Sequence, residues 1–288
     1  MRRSVVTVGP TEARGEPKLP LIDSHCHLQA DSFAVDRLAV LNAAREAGVE
    51  RVLVPGWDLE SSRQAIELAA TADVDASAGI HPHAAGGADH ATWSAVLELA
   101  DRREVVAIGE TGLDYDRGFS SRIAQLVNLR RHLFLGRALG KPVILHFRSR
   151  IGERDAQDDL LSELLAAGAG TPDWPTLDGR PPALLHSFSG PADYADSALA
   201  MGLAVSFSAL VFRAGEEVSA DVARGVPADR LLVETDSPYL SPPGASKRRN
   251  EPRWVAITGE WLAAQRKDDE RRLGRQLVVN YDAFFGRR

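Results

Sequence analysis

The chain has 288 residues, a formal net charge of −6 and 44% hydrophobic residues. The acidic balance argues against a broad non-specific nucleic-acid surface, and no apolar run reaches the roughly 18 residues of a membrane-spanning helix. The single cysteine, Cys26, cannot form an internal disulfide, which fits a reducing, cytoplasmic compartment.

Residues 1–18 are polar and interrupted by Pro10, Gly15 and Pro17, so we expect a disordered N-terminal arm. From residue 19 onward strand-like and helix-like patterns alternate, which predicts a single domain over residues 19–288. The predicted strands are 19–23, 49–54, 74–80, 105–108, 142–145, 183–185, 203–207 and 230–236. The predicted helices are about 35–47, 59–70, 91–100, 120–139, 156–167, 192–201, 215–224, 251–266 and 269–285. Residues 168–182, rich in Gly, Pro, Asp and Thr, are interpreted as a loop insertion.

This alternation indicates an α/β protein with a parallel sheet, and the near-continuous apolar strands fit a sheet buried on both faces. Eight strand–helix units in a chain of this length predict a closed (β/α)8 TIM barrel of the metal-dependent hydrolase type. The alternative is an open doubly wound sheet. No glycine-rich phosphate-binding loop follows the first strand, which disfavours that alternative.

Histidines and carboxylates stand at the C-terminal ends of most predicted strands. In chain order they are His25 and His27, His81 and His83, Glu110, His146, His186 and Asp236. Because the C-terminal ends of all strands meet at one mouth of a parallel barrel, we expect these residues to converge. Only His90 and His132 of the 8 histidines lie elsewhere, so the clustering predicts a metal site.

The predicted ligands are too many for a single metal, which uses three or four protein ligands. We therefore predict a centre with two divalent ions, and mixed ligation by imidazoles and carboxylates suits Zn, Mn or Mg. One ion would be held by His25, His27 and Asp236, the other by His146 and His186, with Glu110 bridging them.

Several segments resemble the motifs of the TatD family of metal-dependent hydrolases. They are residues 23–28 (DSHCHL), 79–83 (GIHPH), 109–115 (GETGLDY), 142–146 (PVILH), 185–190 (LHSFSG), 232–240 (LVETDSPYL), 249–252 (RNEP) and 280–285 (NYDAFF). The match runs in order from about residue 20 to the end of the chain. The resemblance implies a TIM barrel of the amidohydrolase superfamily, a binuclear site supported by Mg²⁺, Mn²⁺ or Zn²⁺, and hydrolysis of phosphodiesters, typically of DNA from its 3′ end.

The resemblance also assigns roles to individual residues. It implies that His81 contacts a substrate phosphate and that the metal ligands are His25, His27, Glu110, His146, His186 and Asp236. The chain departs from the family pattern in residues 147–150, 168–182 and 210–215, which border the predicted mouth. Substrate preference is therefore less well defined by the resemblance than the metal site is.

Two carboxylates near the predicted site need a role. We expect metal-assisted hydrolysis in which the ions lower the pKa of a water and Asp236 takes up its proton as general base. An N-cap role for Asp236 is the alternative. Glu234 lies on the same strand face, where it would either hydrogen-bond a ligand histidine from behind or form a salt bridge inside the barrel.

Substrate contacts are predicted from cations near the mouth. Arg148 shares a strand face with His146 and would bind phosphate, or else form a structural ion pair. The basic run Lys247, Arg248 and Arg249 follows the eighth strand and would track a nucleic-acid backbone, or else form a solvated loop. His81 is either a phosphate contact or a histidine of the turn beside Pro82, and His83 is either a phosphate contact or a solvated histidine of the loop beyond.

Aromatic residues also follow the strand ends. Trp57, Phe188 and Tyr239 could stack on bases, although packing in the core or a lid is the more common role for such residues. Cys26 alternates with the two flanking histidines and is therefore expected to point into the core rather than to bind metal.

The leading functional hypothesis is a 3′–5′ exodeoxyribonuclease that acts on single-stranded or frayed DNA ends, without a membrane or an obligate protein partner. The first alternative is hydrolysis of a small ester, lactone or amide, because a two-metal site can activate water against carbon as well as phosphorus. A non-catalytic metal-binding scaffold is the third possibility, which the complete ligand set and Asp236 disfavour.

Overall fold

The computed structural model describes residues 19–174, 179–246 and 248–286. Within these residues eight parallel strands form one sheet in the order β1 to β8. The strands are β1 (Leu21–Asp23), β2 (Val49–Val54), β3 (Asp75–Ala78), β4 (Val105–Asp114), β5 (Val143–Arg148), β6 (Ala183–Leu185), β7 (Ala204–Phe207) and β8 (Leu231–Val233). Backbone hydrogen bonds between the ends of β8 and β1, such as Ser24 N to Val233 O at 3.0 Å, close the sheet into a barrel.

The helices of the described residues surround this barrel. They are α1 (Arg37–Glu46), α2 (Leu59–Thr71), α3 (His90–Ala100), α4 (Arg122–Leu139), α5 (Asp155–Ala167), α6 (Ala192–Ala200), α7 (Val218–Gly225), α8 (Val255–Arg266) and α9 (Glu270–Phe285). The predicted (β/α)8 barrel is thereby confirmed, and the open doubly wound sheet was the wrong alternative. Within the described residues, no helix combines the length and the apolar character that a membrane crossing requires.

The fourth strand differs from its prediction because it continues past Glu110 as far as Asp114. Gly112 makes this extension possible, since it pairs with His146 of β5 and a Cβ atom there would collide with the backbone of that residue. Arg148 in turn ends β5 and pairs with Asp114. The prediction that Glu110 ends its strand was therefore wrong, and β4 stays paired with β5 as far as Asp114.

The described residues include only part of the two predicted ends of the chain. The predicted arm over residues 1–18 lies outside the described residues. A single domain over residues 19–288 stays a prediction. The predicted helix 251–266 begins with a short 3₁₀ segment, Pro252–Trp254, and becomes α-helical at Val255.

One histidine outside the mouth has a structural role. His132 of α4 is fully buried; its Nε2 accepts a hydrogen bond from Ile80 N at 3.0 Å and its Nδ1–H donates to Asn128 O at 2.8 Å. Asn128 Nδ2 also donates to Ile80 O at 2.7 Å, so α4 holds the backbone just before His81. Burial lowers the pKa of His132 to about 4.

We predict that His132→Gln flattens the pH dependence of the free energy of unfolding between about pH 4 and 6.5. In that range the unfolded chain binds a proton that folded His132, with its pKa of about 4, does not accept. Stability therefore rises with pH across the window, by roughly 3 kcal/mol in total from this residue. Urea unfolding at several pH values measures the slope. His90→Gln, at an exposed histidine of α3, is the control, and equal slopes for His132→Gln and the wild type would contradict the prediction.

Candidate active site

The predicted site residues gather in a pocket of about 1190 Å³ at the C-terminal mouth of the barrel. Among its lining residues are His27, His81, Glu110, His146, His186 and Asp236. His25 lies directly behind them and is fully buried, with its ring stacked on that of His186 at 4.1 Å between centroids. Residues from six strands, or from the segments that directly follow them, therefore meet in one place, and this is the convergence that the sequence predicted.

A buried contact between the first and last strands sets the position of two of these segments. The Asp23 carboxylate accepts hydrogen bonds from Thr235 N at 2.9 Å and from Thr235 Oγ1 at 2.6 Å. Burial raises the pKa of Asp23 to about 8 in spite of these bonds. Asp236 N then donates to His25 O at 2.9 Å, so the segment after β8 lies directly beside the histidines that follow β1.

One oxygen of Glu110 faces the first group of predicted ligands. Glu110 Oε2 lies 3.3 Å from His25 Nε2 and 3.9 Å from His27 Nε2. Asp236 Oδ1 lies 3.3 Å from His27 Nε2 and 3.9 Å from His25 Nε2. These four side chains therefore present their donor atoms to one small volume.

The other oxygen of Glu110 faces the second group. Glu110 Oε1 lies 3.0 Å from His186 Nε2 and 3.3 Å from His146 Nδ1, and these two nitrogens are 3.5 Å apart. The two oxygens of one carboxylate thus serve two different sets of imidazoles. This is the arrangement expected of a carboxylate that bridges two cations.

Hydrogen bonds on the far side of each ring define which nitrogen of His146 and His186 carries the proton. His146 Nε2 lies 3.1 Å from Asp114 Oδ2, and His186 Nδ1 lies 3.1 Å from Glu234 Oε1. A carboxylate can only accept, so the proton belongs on the nitrogen that faces it. In the neutral ring the other nitrogen then directs a lone pair at Glu110, as a metal ligand requires.

His81 has the opposite arrangement. Its Nδ1 accepts a hydrogen bond from His83 N at 3.1 Å, which places the proton of the neutral ring on Nε2. That Nε2–H points into the site, 3.3 Å from Glu110 Oε1. A nitrogen that carries a proton donates a hydrogen bond and does not bind metal. The geometry therefore supports a donor role for His81 toward an anion, in line with the predicted phosphate contact.

The electrostatics of the pocket favour a cation. Although burial disfavours a charged carboxylate, His81, His186 and His25 hold the pKa of Glu110 well below its usual range. Burial likewise opposes charge on His186, but Glu110 and Glu234 raise its pKa well above the usual value. The lone pair that attracts a proton so strongly will also attract a metal ion, which competes with the proton for it.

Buried nitrogen atoms without a hydrogen-bond partner indicate whether these residues fit a metal ion. Both ring nitrogens of His25 and Nδ1 of His27 are buried without a hydrogen-bond partner among the described residues. Buried polar atoms are normally paired, and of these nitrogens His25 Nε2 lies 3.3 Å from Glu110 Oε2 and 3.9 Å from Asp236 Oδ1, so it fits a ligand whose partner is a cation.

Of the cations predicted to contact substrate, the structure places one at the pocket and another in structural ion pairs. Arg148 lines the pocket, and no ion pair of its guanidinium occurs in the described part of the chain. Arg249 instead binds both carboxylate oxygens of Asp36 at 2.8 Å and Glu251 at 2.9 Å, which is a structural ion pair. Arg248 is exposed, and Lys247 lies outside the described residues. The substrate-binding role of the basic run stays a prediction.

Of the aromatic residues predicted to stack on bases, two lie at the pocket and one lies in the core. Trp57 and Tyr239 line the pocket, with ring centroids 5.1 and 5.8 Å from that of His27. Phe188 is fully buried and packs against core aromatic rings, so it has no face for a base. Cys26 is likewise buried, with its Sγ 3.1 Å from Ser237 Oγ, and it points away from the site.

Sequence reasoning missed Asp114, a fully buried residue at the end of β4. Its Oδ2 accepts from His83 Nε2 at 2.8 Å and from His146 Nε2 at 3.1 Å. Its Oδ1 accepts from the backbone of Asp116 and Arg117 at 3.1 and 2.9 Å. The available signal was alternation, because Asp114 is the fourth residue after Glu110 and shares its strand face.

A family comparison agrees with this geometry. A family model described as "TatD related DNase" matches residues 22–286. The fold and the site define a hydrolase of the (β/α)8 barrel class. Within that class the chain belongs to the TatD-related DNase family, which confirms the resemblance seen in the sequence and implies the use of divalent metal.

Individual relatives cover nearly the whole chain. A protein named 3′-5′ ssDNA/RNA exonuclease TatD from Dickeya dadantii is 36% identical over 273 residues, which span 92% of this chain and 97% of the relative. The protein of the same name from Escherichia coli K12 is 34% identical over 92% of this chain and 99% of its own. The solved structure of YJJV, a TatD homologue from Escherichia coli, has a TM-score of 0.82 and 26% identity, covering 93% and 98% of the two chains. A mutant organophosphorus hydrolase from Deinococcus radiodurans, with 16% identity, a TM-score of 0.60 and coverage of 93% and 94%, shares the fold.

We predict that Asp114→Asn weakens metal binding by about 10- to 100-fold. The asparagine can turn an amide donor toward His146 Nε2, which would then lose the acceptor that fixes its proton. Calorimetric titration of the metal-free protein with Mn²⁺ or Zn²⁺ measures the affinity. Asp101→Asn, at an exposed aspartate after α3, is the control. Unchanged affinity in Asp114→Asn with normal folding would contradict the prediction.

Proposed function

We propose that the protein is a metal-dependent 3′–5′ exonuclease that removes nucleotides from single-stranded DNA and from RNA. The single observation that supports this most strongly is the Glu110 carboxylate, whose two oxygens face two separate sets of histidines. The names of the relatives, 3′-5′ ssDNA/RNA exonuclease TatD, supply the substrate class and the direction. We also propose a cytoplasmic location, in line with the single unpaired cysteine.

In this proposal the site holds two divalent ions, which are Zn²⁺, Mn²⁺ or Mg²⁺. Bound ions would supply positive charge to the phosphoryl oxygens and lower the pKa of a water. The residues that would hold the ions are His25, His27 and Asp236 on one side, His146 and His186 on the other, and Glu110 between them.

The chain's own groups would then position the substrate and accept the proton. Burial disfavours the ionised form of Asp236, but the hydrogen bond to His27 lowers its pKa, so Asp236 is ionised at neutral pH and has a free lone pair that could accept a proton. Its side chain is 17% exposed and faces the pocket. The Nε2–H of His81 would donate to a phosphate oxygen, and the guanidinium of Arg148 would bind a second one.

The first test is Asp236→Asn, which removes the proposed base. We expect the rate of hydrolysis to fall by about 100-fold or more, because general-base catalysis contributes at least that factor. The assay uses a 5′-labelled single-stranded oligonucleotide with Mn²⁺ or Mg²⁺, and the wild type should produce a ladder that shortens from the 3′ end. Metal titration of the variant separates loss of the base from loss of a ligand.

Asp221→Asn, at an exposed aspartate of α7, is the matched control and should retain wild-type activity. A parallel assay with circular single-stranded DNA and with a simple carboxylic ester tests the alternatives. Cleavage of the circle would identify an endonuclease. Rapid hydrolysis of the ester with no cleavage of the oligonucleotide would overturn the proposed function in favour of the small-molecule alternative.

The second test concerns phosphate binding by Arg148. Arg148→Ala should weaken oligonucleotide binding and reduce the slope of log K against log salt by about 0.7, the value for one contact to a single strand. Binding is measured with an uncleavable phosphorothioate oligonucleotide from 50 to 200 mM salt. Arg103→Ala, at an exposed arginine just before β4, is the control at the opposite end of the barrel. An unchanged salt slope would remove Arg148 from the binding site.

A further inference from the structure

An exposed phenylalanine separates the active-site pocket from a second groove. Phe119 follows β4 and is 70% exposed, although an apolar ring of this size is normally buried. It lines both the active-site pocket and a neighbouring groove of about 500 Å³, and His83 and Ala84 are also shared by the two. The rings of Phe119 and His83 lie 4.7 Å apart and together form a ridge between the two spaces.

The ridge is held in place by hydrogen bonds on both sides. Ser120 Oγ donates to His83 O at 2.9 Å and accepts from Gly86 N at 2.9 Å, which ties the loop after β4 to the 3₁₀ segment Pro82–Gly87. His83 Nε2 is bound to Asp114 at 2.8 Å. An exposed aromatic ring on a braced loop loses little conformational entropy when a flat ligand binds to it, so the ridge is pre-organised.

The chemistry of the groove differs from that of the active-site pocket. Leu59, Ile80 and Thr92 line it together with the acidic residues Asp58 and Glu60. Such a surface repels phosphate but accepts hydrogen bonds from exocyclic amino groups. The cations, by contrast, belong to the other side of the ridge, where Arg117 and Arg148 line the active-site pocket.

We propose that Phe119 and this groove form a subsite for the base of the nucleotide next to the one being removed. The proposal rests on the proposed exonuclease function. The base stacks on Phe119 with its edge in the groove, while the backbone phosphates stay on the cationic side. Aromatic stacking is tolerant of sequence because every base has a flat face. A base in this subsite cannot be paired at the same time, so the ridge selects for single strands.

The test combines Phe119→Ala with oligonucleotides that carry one abasic nucleotide. For the wild type we expect an abasic nucleotide at the penultimate position to lower kcat/KM by about tenfold, and Phe119→Ala to do the same on the intact strand. In Phe119→Ala the abasic nucleotide should cause no further loss, because both changes remove the same contact. Phe119→Trp should restore the wild-type value.

Phe134→Ala is the matched control, since this residue of α4 is 74% exposed and lines neither space. Thermal unfolding of each variant checks that the fold is retained. Independent, multiplicative losses from Phe119→Ala and the abasic nucleotide would overturn the subsite while leaving the exonuclease intact. A wild type that cleaves none of these oligonucleotides would instead overturn the proposed function itself.

Discussion

The mouth of this barrel depends on the interaction of one buried carboxylate with the imidazoles around it. Glu110 is 3% exposed, and a carboxylate at that depth is ionised only when positive or polarised groups compensate it. Each of its oxygens has its own partners, so the residue divides the pocket into two halves that share one charge. The partners are His25, His27, His81, His146 and His186.

Groups behind the imidazoles decide what each one can do. Asp114 and Glu234 accept hydrogen bonds from the outward N–H groups of His146 and His186, so the other nitrogen of each neutral ring presents a lone pair to the site. His81 instead accepts a hydrogen bond from a backbone N–H, so the nitrogen that it presents to the site carries the proton. Chemically identical side chains are thereby suited to different proposed roles, as metal ligands or as hydrogen-bond donors. These outer contacts come from the end of β4, from the residue that follows β8 and from the 3₁₀ segment Pro82–Gly87 after β3, so the barrel and its loops assign the roles.

The sequence was sufficient to predict the barrel and the convergence of the strand ends, because these follow from local periodicity and from one rule of parallel topology. The family was predicted separately, from the resemblance of motifs such as residues 23–28 and 232–240. The sequence was not sufficient for features that depend on pairing between distant segments. The extension of β4 requires Gly112 to pass close to β5, and only this extension brings Asp114 behind His146. The ion pair of Arg249 could likewise not be predicted from the sequence, because its partner Asp36 is 213 residues away.

The net charge of −6 and a nucleic-acid substrate are compatible if binding does not depend on a basic surface. Among the described cations, Arg117 and Arg148 line the pocket, whereas Arg249 is committed to Asp36 and Glu251. Few phosphate contacts imply a shallow salt dependence, and the remaining affinity would then come from the proposed metal site and the proposed stacking subsite. Both of these act on the end of a single strand and need no extended duplex, so an acidic protein of this design is suited to strand ends rather than to long duplex DNA.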